Sequence, residues 1–249
     1  MKYITLIIFM CFNLTITAYT NINILGTGLF LPYSIGVIGY IKKHIPIYDY
    51  KITGVSGGAW CSLLYVLEND LSDHDKIWNY TVGDPNTKIR IHNNLDIVQN
   101  SIEVNLKNRY KHVSSETVNK LPVSIIASRY DNKKYKINKW KISEFKNIND
   151  IVDFSFCSSY IPYLSGSLMC KEYHNNYFMD GDIVRDKNLI EMKKCPQTIT
   201  IHREMWGRKF PLSNFVYSDI ETSRLLFKQG WEDTEMNKEK ILERIKLLL

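Results

Sequence analysis

The chain of 249 residues is poor in most of the features that announce a function. Its five cysteines and six histidines fall at no spacing that suits a zinc site, so no metal is expected. Charge of one sign is not in excess: 32 basic against 26 acidic side chains leave a formal +6. With no basic stripe interleaved with aromatics, that balance excludes a nucleic-acid footprint. A weak attraction to anionic lipid surfaces is the most it supplies. There is no internal repeat, no low-complexity tract and no Pro/Gly-rich linker. At 45% hydrophobic residues, one globular domain with a substantial core is expected. The one long apolar run, Tyr3 to Phe12, is too short for a comfortable membrane span.

That run belongs to an N-terminal segment of different character. Met1-Lys2 precedes the apolar stretch, and more polar residues end it at Thr17-Ala18, the layout of a secretory leader. Ile16 sits where a small residue is usual at a cleavage site. A leader or hydrophobic segment over residues 1–18, a main domain over 19–234 and an amphipathic C-terminal helix over 235–249 are the expected divisions. If the leader is real, the chain enters the secretory route, where a Cys170–Cys195 bridge becomes permitted and the Asn79-Tyr80-Thr81 sequon acquires meaning. Otherwise association with a lipid surface is the expectation.

What is present centres on Lys51 to Val66. Apolar, β-prone residues lead into Gly54-Val55-Ser56-Gly57-Gly58, and a helix-prone apolar run leads away. Gly-x-Ser-x-Gly in a strand–turn–helix setting is the nucleophile elbow, in which the serine sits on a sharp turn. Gly54, Gly57 and Gly58 suit a backbone that bends too tightly for flanking Cβ atoms. The hydroxyl of Ser56 then stands at a helix N-terminus, where free N–H groups favour developing negative charge.

Before the elbow, Asn21–Leu25 reads as a strand, Gly26-Thr27-Gly28 as a tight turn and Pro32 to about His44 as a helix. Strand, turn, helix and the elbow strand make a βαβ unit, hence parallel pairing and an α/β fold. Gly26-x-Gly28 with Asp49 downstream could be a dinucleotide fingerprint, but Leu31 stands where its third glycine belongs. The better reading is a nest of backbone N–H groups that receives an oxyanion. Further on, Leu121–Ala127 reads as a core strand, Ile148–Ser159 as an apolar helix, and Glu172–Met179 as a hairpin running into Asp180-Gly181-Asp182. Thr198–His202 alternates as a strand, and the tail from about Ile220 is helical.

Ser56 needs a base, and the chain offers two schemes. Ser56, Asp180 and His202 follow the Ser…Asp…His order of a triad, or Asp180 takes the serine proton by itself in a dyad.

The stretches Gly26-Thr-Gly-Leu-Phe-Leu-Pro-Tyr33-Ser-Ile-Gly36, Gly54-Val-Ser56-Gly-Gly58 and Asp180-Gly181 come in the order and spacing of patatin-like phospholipases, which the chain resembles. Phe156-Cys157-Ser-Ser-Tyr160-Ile161-Pro162-Tyr163 and Phe227-Lys228-Gln229-Gly230-Trp231 resemble segments of that family's neutral-lipid branch, typified by adipose triglyceride lipase and adiponutrin. The resemblance implies a three-layer α/β/α fold with a mostly parallel central sheet. It also implies a lipid acyl hydrolase that cleaves carboxylic esters without a cofactor. By motif position Ser56 is the nucleophile, Asp180 the base, Gly181 its partner glycine, and Gly26, Thr27 and Gly28 the oxyanion hole. Leu31 and Asp182 depart from the family's pattern and bear on activity. The competing expectation is a weakly active or inactive lipid-binding protein that keeps the fold.

Overall fold

The computed structural model describes residues 19–184 and 197–246. The leader assigned to residues 1–18 and the Cys195 half of the suggested bridge lie outside them. The elements are β1 (Thr20–Ile24), α1 (Leu31–His44), β2 (Tyr50–Val55), α2 (Gly57–Leu67), α3 (His74–Thr81), β3 (Ile89–Arg90), α4 (Leu95–Tyr110), α5 (Ser115–Asn119), β4 (Val123–Asp131) and β5 (Lys136–Ile142). After these come α6 (Ile148–Ser159), β6 (Lys171–Tyr173), β7 (Asn176–Met179), β8 (Thr198–Ile201), β9 (Tyr217–Ser218), α7 (Ile220–Met236) and α8 (Lys238–Lys246).

This is a mixed α/β fold. Strands β4, β2, β1 and β8 lie side by side and parallel, with β5, β7 and β6 added antiparallel at one margin. Register explains the two faces. Ile22 stands beside Ile52 and Ile199, and Ile52 beside Val123, so β-branched residues form one apolar face. One residue on, Asn23, Thr53, Ser124 and Thr200 line up on the other face, as the two-residue period of a strand requires. The apolar face joins α1, α2 and α6 in a single core, including the fully buried Ile38, Leu63 and Phe154. Helix α7 packs along α1, where Gly36 and Gly230 permit close approach: a Cβ on either would fall 2.1 Å from a carbonyl oxygen of the other helix.

One topological detail fixes the candidate site. β4 pairs with β5 over Ile125–Asp131, which occupies one edge of the strand. β2, along residues 123–126, and β7, along 128–130, must therefore share the other edge. They run in opposite directions and meet end to end opposite Ala127. The residue after β2 is Ser56 and the residue after β7 is Asp180.

The helix breaks at Asn237, so the tail is two helices, and Ile241 of α8 is buried on the core beside β8. The small β3–β9 ribbon, two residues per strand, carries no periodicity for sequence reading to detect.

Candidate active site

Ser56 has φ 55° and ψ −130°, a conformation costly for a residue with a side chain, and it caps α2 at its N-terminus. Neighbouring glycines hold that turn. A Cβ on Gly58 would lie 2.2 Å from the Ile24 carbonyl oxygen, and one on Gly54 2.5 Å from that of Gly58. The helix thus lies directly on β1 and on its own parent strand.

The serine hydroxyl donates to Asp180 Oδ2 at 2.6 Å, and both residues are buried, at 7% and 6% exposure. The C-terminal end of α6 brackets the pair. Ser158 Oγ accepts from the Ser56 N–H at 2.8 Å and donates to the Ile126 carbonyl at 2.6 Å. The Asp180 N–H donates to the Tyr160 carbonyl and the Gly181 N–H to the Ser158 carbonyl, at 2.7 and 2.8 Å. Gly181 is required there, because its Cβ would sit 2.5 Å from the Ile126 oxygen. Ser158 was missed as a site residue in the sequence reading. It lies within the Cys157-to-Pro162 segment of the family resemblance, but nothing in that segment says its hydroxyl ties two strand ends together.

Burial pushes the Asp180 carboxyl up to about 6. The Ser56 hydroxyl and the Asp182 N–H, which donates to Asp180 Oδ1 at 2.8 Å, pull it back down, and the Asp182 charge raises it slightly. A carboxylate so poised is a stronger base than an exposed one yet remains mostly ionised at neutral pH.

The first glycine turn lies against the elbow. Gly28 has φ +51°, and its nitrogen is 3.5 Å from the place a Gly57 Cβ would occupy. Thr27 is buried beneath, its Oγ1 2.1 Å from that same place, which is why residue 57 carries no side chain. The Gly28 N–H thus adjoins the first amides of α2, which have no partner within their helix. Gly26 lies under Asp182, whose Oδ2 is 1.5 Å from the position of a Gly26 Cβ. A carboxylate therefore touches the turn that would hold an oxyanion. Leu31 opens α1 and lines the cleft in front of Ser56.

That cleft measures about 950 Å³ including its open mouth, and it begins at Ser56, Gly57 and Gly28. Its walls are apolar: Leu29, Leu31 and Ile35 on the α1 side, Trp60 from α2, Ile77 and Trp78 from α3, Val98 and Ile102 from α4, and Phe227 from α7. On the far wall His74 Nε2 meets Ser223 Oγ at 2.7 Å, while His74 Nδ1 meets Asp75 Oδ1 at 2.9 Å.

His202 lines a different cavity, with Met205, Trp206 and Lys240, whereas Ser56 opens onto the apolar cleft. Asp49 precedes β2, whereas the Gly26–Gly28 turn follows β1, which places them at opposite ends of the parallel pair. That separation removes the dinucleotide reading. Among the described residues no cluster of acidic, histidine and cysteine side chains could hold a metal.

No family model matches the chain, and no curated protein matches it. Among solved structures it is similar to VipD from Legionella pneumophila, with a TM-score of 0.42 and 10% identity over 74% of this chain and 50% of that one. It is also similar to the heterodimeric ExoU–SpcU complex from the type III secretion system of Pseudomonas aeruginosa. That match has a TM-score of 0.41 and 12% identity, over 90% of this chain and 52% of that one. The chain spans about half the length of each.

Proposed function

We propose that the protein is a patatin-like serine acyl hydrolase that cleaves lipid carboxylic esters through a Ser56–Asp180 dyad. The 2.6 Å hydrogen bond between a strained, buried serine and a carboxyl raised to about 6, at the mouth of an apolar cleft, carries the reading. Asp180 takes the hydroxyl proton as Ser56 Oγ attacks the ester carbonyl, forming the tetrahedral adduct. N–H groups of Gly28 and of the first turn of α2 hold its oxyanion, each donor typically worth about 3 kcal/mol. Collapse expels the alcohol or lysolipid, which takes the proton from Asp180. Water then attacks the acyl-enzyme, giving its proton to the same carboxylate, and the acid leaves as Ser56 Oγ is reprotonated. No cofactor enters any step.

The acyl chain lies in the cleft, and the rest of the lipid stays at the surface. Tyr163, Leu168 and Met169, which follow the cleft-lining Ile161, and Ile183, three residues after Asp180, are exposed apolar side chains of the kind suited to an interface of lipid and water. Among the described residues no helix is long and apolar enough to cross a membrane. The neutral-lipid assignment and the secretory route rest on sequence alone.

One observation favours the second reading, a weakly active lipid-binding protein: the Asp182 carboxylate against Gly26 opposes an oxyanion forming nearby. Hydrolysis of a medium-chain nitrophenyl ester and of phospholipid vesicles separates the two. Activity lost in Ser56→Ala and Asp180→Asn but kept in His202→Ala supports the dyad. Equal loss in His202→Ala restores the triad, and a folded, inactive parent that a long-chain fluorophosphonate fails to label supports the binding protein.

A further inference from the structure

The cleft is apolar, yet two of the polar side chains on its walls have buried atoms with no partner. Gln99 on α4 is 7% exposed, and its Oε1 accepts no hydrogen bond. Its amide cannot be turned round, because Nε2 donates to the Ser159 carbonyl at 2.8 Å. Ser218 on β9 is 2% exposed, and its Oγ also lacks a partner. The other polar groups there close their bonds within the protein: Thr81 Oγ1 on the Ile77 carbonyl, Ser159 Oγ with Trp60, and Ser223 Oγ with His74. A buried acceptor without a donor is costly, and such groups are rare unless something fills them.

We propose that this cleft is built for an acyl chain bearing a hydroxyl group, so that the lipid cleaved is an ester of a hydroxylated fatty acid. The inference rests on the acyl chain occupying the cleft, as proposed above. Gln99 Oε1 can only accept, so the ligand group there must carry a proton: a ketone or an ether does not serve, and a hydroxyl does. Ser218 Oγ can accept from such a group or donate to it. Among the described residues no lysine, arginine or carboxylate lines the cleft, so a phosphate head group is not what these atoms await. Gln99 and Ser218 sit on different elements, on walls built by α4 and by the β3–β9 ribbon, and a chain threaded between them can meet either.

Binding to Ser56→Ala protein by calorimetry tests this without relying on turnover. Ricinoleate and ω-hydroxypalmitate are compared with oleate and palmitate, each pair nearly identical in shape but for the hydroxyl. The expected result is that at least one hydroxy acid binds about tenfold tighter than its parent, one net hydrogen bond in a dry site. That advantage falls toward unity in Gln99→Met or Ser218→Ala. Two variants are used because Gln99→Met also gives up the bond to Ser159; Ser218→Ala removes only an unpartnered atom. Equal affinity within both pairs, or an advantage unchanged in both variants, overturns the proposal. A preference for monoolein over methyl oleate, with equal affinity for the free acids, also overturns it by assigning the hydroxyl site to glycerol. If the hydroxy acids are preferred but no ester is hydrolysed by the native protein, the catalytic reading fails and the ligand assignment stands.

Discussion

Two of the serines that line the cleft, Ser56 and Ser223, are each hydrogen-bonded into a chain that ends on a carboxylate. Ser223 has the fuller relay, running through His74 to Asp75, whereas Ser56 has Asp180 alone. Their backbones differ more than their partners do. Ser223 lies in the first turns of α7 with its N–H spent on the Asp219 carbonyl, flanked by Thr222 and Arg224. Ser56 stands in a left-handed conformation at the head of a helix, beside glycine amides. The carboxylates differ as well. Arg224 holds Asp75 at about 2, a spent ion pair, while burial lifts Asp180 to about 6. Three residues in line do not make a nucleophile. In the proposed mechanism a strained turn, amides beside the developing oxyanion and a base with a usable proton affinity do, and the Ser223 relay instead fastens α3 to α7.

The largest effect expected from this contrast is at the serines themselves. Ser56→Ala should lower ester hydrolysis by more than about 10³-fold and abolish fluorophosphonate labelling. Ser223→Ala should keep labelling and lose about 1 kcal/mol of stability, since His74 Nε2 is left unpaired. Labelling that moves to Ser223 would reverse the assignment.

Asp180→Asn should cost about 10²- to 10⁴-fold in kcat while raising Tm at pH 7. The sign follows from linkage. The folded carboxyl binds its proton more tightly than the unfolded one, so ionised Asp180 is a burden at neutral pH. That burden is relieved as pH falls through about 6 and is gone below the ordinary carboxylate range. Activity must run the other way, falling as pH drops through about 6. A pH–rate profile flat from 5 to 7, tested against this value of about 6, would remove Asp180 as the base.

A smaller loss, about tenfold in kcat, is expected of Gly57→Ala, whose Cβ would push Thr27 and with it the Gly28 amide. Single-turnover kinetics would show slower acylation, and unchanged acylation would take the oxyanion role from that turn.

The smallest effect is at Asp182. Asp182→Asn removes a like charge beside Asp180 and beside Gly26, so the acid limb of the pH–rate profile should move down and kcat should rise about two- to threefold. A fall in kcat would mean that the carboxylate helps hold the turn.

Much of this could be read from the chain before any coordinates. The elbow was legible because strand, turn and helix are all local, and the glycines mark where backbones touch. α6 matched its observed span, Ile148–Ser159, because its apolar spacing and its Asn147 cap are both local signals. The approach of Asp180 was legible only through resemblance, since the two strand ends meet by pairing with a third strand. The walls of the cleft were not legible at all. They come from α1, α2, α3, α4, α7 and the β3–β9 ribbon, whose apolar residues look like any core stripe until the space between them is seen. Gln99 in particular reads as one more polar residue on a helix.

The end-to-end meeting of β2 and β7 has a consequence for how competence arises. The spacing between hydroxyl and carboxylate is set by ladder register, so it can change only by whole residues, about 3.3 Å with the side chain thrown to the opposite face. It cannot drift by fractions. The two groups are also 124 positions apart in sequence, so in a chain still being synthesised the serine exists long before its base. In the finished protein, peeling the short β6–β7 hairpin from β4 would extinguish the chemistry while the parallel strands stayed folded. Activity then reports on one seam of the sheet rather than on the molecule as a whole.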